Sequence, residues 1–137
     1  MQLIPTRRLD QSIRILMFLA SNGGGHSSAD SISEMTGIGP VAIRRLMQTV
    51  GRAELISSVS GPRGGYRLSC SPSEIDMRAV TEACEGPINP NFCLLNKISC
   101  GNVDHCVLHL LWTTAQNGLG IDLSRFSLAD VMETSRL

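Results

Sequence analysis

The chain has 137 residues, 42% of them hydrophobic and 18% charged, a composition that folds into one domain of ordinary size and excludes a disordered or fibrous chain. No apolar run approaches the roughly 18 residues of a membrane span, the start MQLIPTRRLDQ lacks the apolar stretch of a signal peptide, and the cysteines number an odd five. The expectation is therefore a cytoplasmic chain with no membrane association and no disulfide framework.

The first segment, roughly Thr6 to Ser21, is expected as a helix with Ile13, Leu16, Met17 and Ala20 as its apolar stripe. Asn22-Gly23-Gly24-Gly25 ends it as a flexible loop. Ser28 then caps a short helix whose Ala29, Ile32 and Met35 face inward, with Gly37 at its left-handed end. Pro40 suits the first position of a third helix, which runs to about Gly51 with Ile43, Leu46, Met47 and Val50 on its inner face.

The opposite face of that third helix carries Val41, Arg45, Gln48 and Arg52, flanked by Arg44. Arginines and an amide on an exposed helix reach groove edges and phosphates of DNA, although most such faces are merely solvated. The surroundings favour DNA. A short helix, a turn and a basic helix form a helix-turn-helix. LISSVS and YRLS, joined by GPRGG, then form a β-hairpin with Arg63 at its tip and Tyr66 and Arg67 behind it. Charge agrees: residues 1–69 hold eight arginines against four acids, and residues 70–137 hold four basic residues against eight acids. The net zero thus hides a +4 half suited to phosphate and a −4 half that is not.

Asp76 is expected to cap a fourth helix with Met77, Val80, Thr81 and Cys84 on one face, stopped by Gly86 and Pro87. Cys84 is expected as a small buried hydrophobe and Cys70 as a structural residue. Residues 87–105 show no periodicity. From about Val103 a further helix is expected, with Leu108, Leu111, Trp112 and Ala115 as its core stripe. Val107 and Leu110 widen that stripe and point to a partner helix, and Asn117, Gly118 and Gly120 weaken its end. Ser127 caps a short terminal helix, with Asp130 completing a capping box.

Cys93, Cys100 and Cys106 are spaced C-x6-C-x5-C, and His109 follows one helical turn later. Three thiolates and an imidazole can hold an iron–sulfur cluster or a tetrahedral zinc ion. The wide gaps favour the cluster, since structural zinc usually takes pairs separated by two to four residues. A thiol switch and inert cysteines are the other readings. Enzymes are disfavoured. There is no C-x-x-C pair and no Ser/His/Asp constellation, the glycine-rich stretches lack phosphate-loop spacing, and a small redox or electron-transfer protein leaves the basic helix and hairpin unexplained. With five aromatic residues in all, single-stranded nucleic acid is a poor fit.

The stretch SSVSGPRGGYRL resembles the wing signature of the Rrf2 superfamily of winged-helix regulators, and the likeness runs from the first helix to the end of the chain. Cys106-Val107-Leu108-His109, followed by Leu111-Trp112, is similar to the IscR branch. That resemblance implies a homodimer on a double-stranded operator, with a 2Fe-2S cluster held by Cys93, Cys100, Cys106 and His109. The gap of six residues after Cys93 departs from the five of IscR-like chains, and Asp10 is the one N-terminal acid that could replace His109 in the manner of NsrR-like chains. Arg44 and Arg45 stand where IscR-like chains carry an acid and an amide, so the operator sequence does not transfer.

The expected architecture is mainly α with a small β-hairpin. It comprises a winged helix-turn-helix domain over 1–86, a cluster-binding loop over 87–106, and a dimerisation helix with C-terminal tail over 107–137. The expected function is a transcriptional repressor sensing iron, redox state or nitric oxide, with Val41, Arg44, Arg45, Gln48, Arg52, Arg63 and Tyr66 on DNA. Control by cysteine oxidation without a cluster is the alternative.

Overall fold

The computed structural model describes residues 5–88 and 106–135. Among them lie six α-helices and one hairpin: α1 (Arg7–Ser21), α2 (Ala29–Thr36), α3 (Pro40–Arg52), β1 (Ile56–Val59), β2 (Gly65–Leu68), a 3-10 turn (Pro72–Glu74), α4 (Met77–Glu85), α5 (Val107–Arg125) and α6 (Leu128–Thr134). This is a winged helix-turn-helix.

Local chemistry sets the helix starts. The side chains of Thr6, Ser28, Asp76 and Ser127 each accept the backbone N–H three residues on, satisfying a donor the helix itself cannot. Pro40 opens α3 where a missing N–H costs nothing, and Gly37 closes α2 with a left-handed φ of 73°.

The core forms where α1, α2, α3 and α4 converge. Ile15, Leu16, Ile32, Ile43, Val50 and Val80 are fully buried there. Burying each such side chain stabilises the fold by about 1.5–3 kcal/mol. Ile43, Leu46, Met47 and Val50 all face inward as expected. In α1 the buried set is instead Leu9, Ser12, Ile15, Leu16 and Leu19. Ile13, Met17 and Ala20 only flank it, because the run ILMFLA is apolar all round and allows more than one stripe. Met35 is also a correction: it is 71% exposed, because the buried face of α2 centres on Ala29 and Ile32 and Met35 lies round the edge.

α4 connects the parts. Arg8 Nη1 donates to the Cys84 carbonyl at 3.1 Å, and the Thr6 hydroxyl donates to the Glu85 carboxylate, which ties the start of α1 to the end of α4. On its other side α4 meets α5, which runs unbroken through Asn117, Gly118 and Gly120. Gly120 is buried, and a Cβ there would lie 3.4 Å from the Arg78 guanidinium and from Ile88. It is a close-approach position rather than a stop signal. The C-terminal segment returns to the core: Leu128 N–H donates to the Ile75 carbonyl at 2.8 Å, Met77 N–H to the Phe126 carbonyl at 2.9 Å, and the Leu128 side chain is fully buried.

Candidate nucleic-acid interface and metal centre

α3 has four buried apolar residues on one side and no acidic residue at all, so its outer face is basic and polar apart from Val41. Val41 is 69% exposed, and Arg44, Arg45, Gln48 and Arg52 are exposed around it. Among the described residues, neither these arginines nor Arg63 forms an ion pair. Unpaired guanidinium groups keep their full potential for phosphate and base edges.

The hairpin stands beside this helix. Its strands pair Ile56 with Leu68, Ser57 with Arg67, Ser58 with Tyr66 and Val59 with Gly65. Gly64 N–H donates to the Gly61 carbonyl at 3.0 Å and closes the tip, where Arg63 is exposed. Tyr66 is half-buried and belongs to the groove rather than the tip. That groove, 670 Å³, runs between α3 and the hairpin and is lined by Arg44, Gln48, Arg52, Ser58 and Tyr66 among others. Val41 and Arg45 lie outside it, on the solvent side of α3.

Two features of this interface escaped the sequence reading. Ser58 faces the groove because it pairs directly with Tyr66 across the hairpin. Ser27, before α2, bridges Tyr66 from the other side. The signal for Ser58 was the two-residue alternation of β1. A single bridging residue such as Ser27 leaves no pattern.

Of the metal-ligand candidates, Cys93 and Cys100 lie outside the described residues. Cys106 is the N-cap of α5, in extended conformation and half-buried, and the helix proper starts at Val107 rather than near Val103. His109, half-buried, is one turn inside the helix. Its Nε2 lies 3.2 Å from the Thr113 hydroxyl, which leaves Nδ1 as the ring atom facing no described partner. A second hydrogen bond of this kind orients a ligating imidazole. Among the described residues no three Cys, His, Asp or Glu side chains gather into a ligand set. Cys106 and His109 at the head of α5 fit half of a Cys₃His set. Cys84 is buried on α4 as expected, and burial pushes its thiol up. Cys70 is exposed and among the described residues has no disulfide.

α5 has two apolar faces. Leu108, Trp112, Gln116 and Gly120 turn toward the rest of the chain, and of these Gln116 and Gly120 are buried. Leu111 and Ala115, expected in the core stripe, are exposed. With Leu111 at 62%, Val107 at 70%, Leu110 at 64% and Ile121 at 61% exposed, a second apolar strip runs along the helix. No described helix is long and apolar enough to cross a membrane.

A family model described as "Iron-dependent Transcriptional regulator", that of Rrf2, matches residues 5–134. The chain belongs to the Rrf2 family. It is 33% identical over 101 residues to the HTH-type transcriptional regulator IscR of Aliivibrio salmonicida, covering 74% of this chain and 60% of that one. It is 28% identical over 116 residues to IscR of Sodalis glossinidius, covering 85% and 70%. The chain thus spans about 60–70% of the length of these IscR relatives. In fold it matches CymR, the global cysteine regulator of B. subtilis, with TM-score 0.75 at 22% identity over 97% of this chain and 98% of that one. It also matches T. potens IscR, with TM-score 0.74 at 24% identity over 97% and 88%. The family model is described as that of a transcriptional regulator, and the IscR relatives are named as transcriptional regulators.

Proposed function

We propose that this Rrf2 chain is a cytoplasmic homodimer that represses transcription from a pseudo-palindromic operator, and that an iron–sulfur cluster of the 2Fe-2S type sets its DNA affinity. The contacts assigned to DNA are Val41, Arg44, Arg45, Gln48 and Arg52 on α3, and Arg63 and Tyr66 on the wing. Two copies of α3 about 34 Å apart enter successive major grooves of one duplex face.

The ligands assigned are Cys93, Cys100, Cys106 and His109. When bound, the cluster supplies iron- and oxidant-sensitive ligation. The observation that carries this reading is the position of Cys106 and His109 at the head of α5. The same helix carries the uncovered apolar strip and rests on α4, and α4 packs on α3. What happens at those two side chains therefore bears on both the dimer face and the recognition helix through contiguous packing. Iron supply, oxidants and nitric oxide are the signals such ligation would transmit.

The test is iron and acid-labile sulfide per chain after purification without oxygen. About two of each, with visible charge-transfer bands, is expected. Cys100→Ala is expected to abolish both while the helical content survives, and a variant that keeps them removes Cys100 from the ligand set. A second reading, control by thiol oxidation, is favoured by one neighbour of the same fold, Staphylococcus aureus CymR, solved in an oxidized form. Absence of iron and sulfide even after reconstitution, with DNA binding lost on oxidation alone, would establish it.

A further inference from the structure

The arginines of α3 fall into two sets, those that line the groove and one that does not. Arg44 and Arg52 line the groove between α3 and the wing, together with the hydroxyl-bearing Ser58 and Tyr66. Arg45 follows Arg44 by one residue, about 100° further round the helix, and is not part of that lining. It shares the solvent side of α3 with Val41, one turn away. Val41 is also the exception to the polar character of this face: a branched apolar side chain left 69% exposed in the free chain.

The trough is lined by the guanidiniums of Arg44 and Arg52, the Gln48 amide and the hydroxyls of Ser58 and Tyr66, with Met47 and Ile56 among them. Its polar groups are the charge and donors that hold a phosphodiester strand. The outer side has the chemistry of a base edge. A free guanidinium pairs with the O6 and N7 atoms of guanine in the major groove, and a branched apolar side chain meets the C5 methyl of thymine. No acid on α3 competes for either arginine.

We infer that the two adjacent arginines divide the work: Arg44, with Arg52 and the wing hydroxyls, grips the phosphate backbone, whereas Arg45 and Val41 determine specificity for a half-site containing a guanine and a thymine. This rests on the DNA-binding reading above. It goes beyond that reading by assigning what each side chain recognises.

Selection of duplexes from a random library by the full anaerobic chain, cluster-loaded and stripped, tests it. The wild type should enrich two-fold symmetric sites with a guanine and a thymine fixed in each half. Arg45→Ala should lose the preference at the guanine, with affinity for the best site falling roughly 5- to 150-fold. Val41→Ser should lose the preference at the thymine. Arg44→Ala should keep the full sequence preference, weaken binding to every sequence alike, and lower the log–log salt slope by about 0.9 per half-site. All three side chains are exposed, so unchanged thermal unfolding is the control for folding. An Arg45→Ala preference identical to wild type, or an altered preference in Arg44→Ala, overturns the division while leaving DNA binding intact. A wild type that binds DNA but enriches no sequence overturns it too. A wild type that retains no duplex at all overturns the DNA-binding reading itself, and the division with it.

Discussion

Ser27 and Tyr66 exchange two backbone hydrogen bonds, the Ser27 amide donating to the Tyr66 carbonyl at 2.9 Å and the Tyr66 amide to the Ser27 carbonyl at 2.8 Å. Ser58 holds Tyr66 from the other strand. The wing is therefore not a free hairpin. It is anchored to the segment that enters α2, and so to the helix-turn-helix whose groove it walls.

That anchorage depends on Gly65. Its φ is +142°, and a Cβ there would lie 2.2 Å from the Ser27 carbonyl oxygen. Gly65→Ala is expected to cost more than about 2 kcal/mol in urea unfolding and to weaken DNA binding by displacing the wing. Gly25→Ala is the control. It has no positive φ and its nearest atom would be 4.0 Å away, so a change below about 1 kcal/mol is expected. Equal losses in the two variants would contradict the anchorage.

The uncovered strip of α5 predicts an assembly defect without a folding defect. Leu111→Asp places a charge on a residue already 62% exposed in the single chain. Sedimentation should show a dimer for the wild type and a monomer for the variant, with helical content retained and operator affinity reduced by tenfold or more. A variant that remains dimeric would move the dimer face elsewhere.

The two described cysteines outside the proposed ligand set differ in reach. Cys84 is buried, and burial pushes its thiol up. Cys70 is exposed, and partial desolvation followed by the charge of Glu74 pushes its thiol up as well. Iodoacetamide at neutral pH should label Cys70 slowly and leave Cys84 unmodified until the chain is denatured. Glu74→Gln should speed labelling of Cys70, as read by peptide mass mapping. Rapid labelling of native Cys84 would contradict its placement.

The capping box of α6 gives a pH dependence. Asp130 Oδ2 accepts the Ser127 N–H at 2.7 Å and the Ser127 hydroxyl at 2.9 Å. The backbone bond first, then the hydroxyl, hold the carboxyl below its ordinary value of 3.8. A carboxyl depressed by folding stabilises fully above its unfolded value, and that contribution disappears as pH falls through the lower folded value. Asp130→Asn should therefore be less stable than wild type at pH 7, and the difference should shrink only below about pH 4. A difference independent of pH down to 3 would remove the carboxylate from the account.

The sequence was most legible where one period dominated. The inner face of α3 and the caps at Ser28, Asp76 and Ser127 stand as expected, because apolar and polar residues segregate cleanly there and a cap is a local hydrogen bond. α1 was ambiguous because its middle is apolar on every side. α5 misled in two ways. Its apolar residues serve two surfaces, so no single stripe describes the core, and Gly120 resembles a breaker in sequence but is a point of close helix contact in space. Of the metal candidates, Cys106 and His109 lie at the head of α5, where Cys106 caps the helix rather than joining it.

The most direct test of the central claim is one operator titrated, without oxygen, by the cluster-loaded chain and by the same preparation stripped of iron and sulfide. If ligation at Cys93, Cys100, Cys106 and His109 sets the DNA affinity, the two dissociation constants should differ by tenfold or more, and the His109→Ala chain should behave as the stripped form. Equal constants for loaded and stripped protein would contradict it.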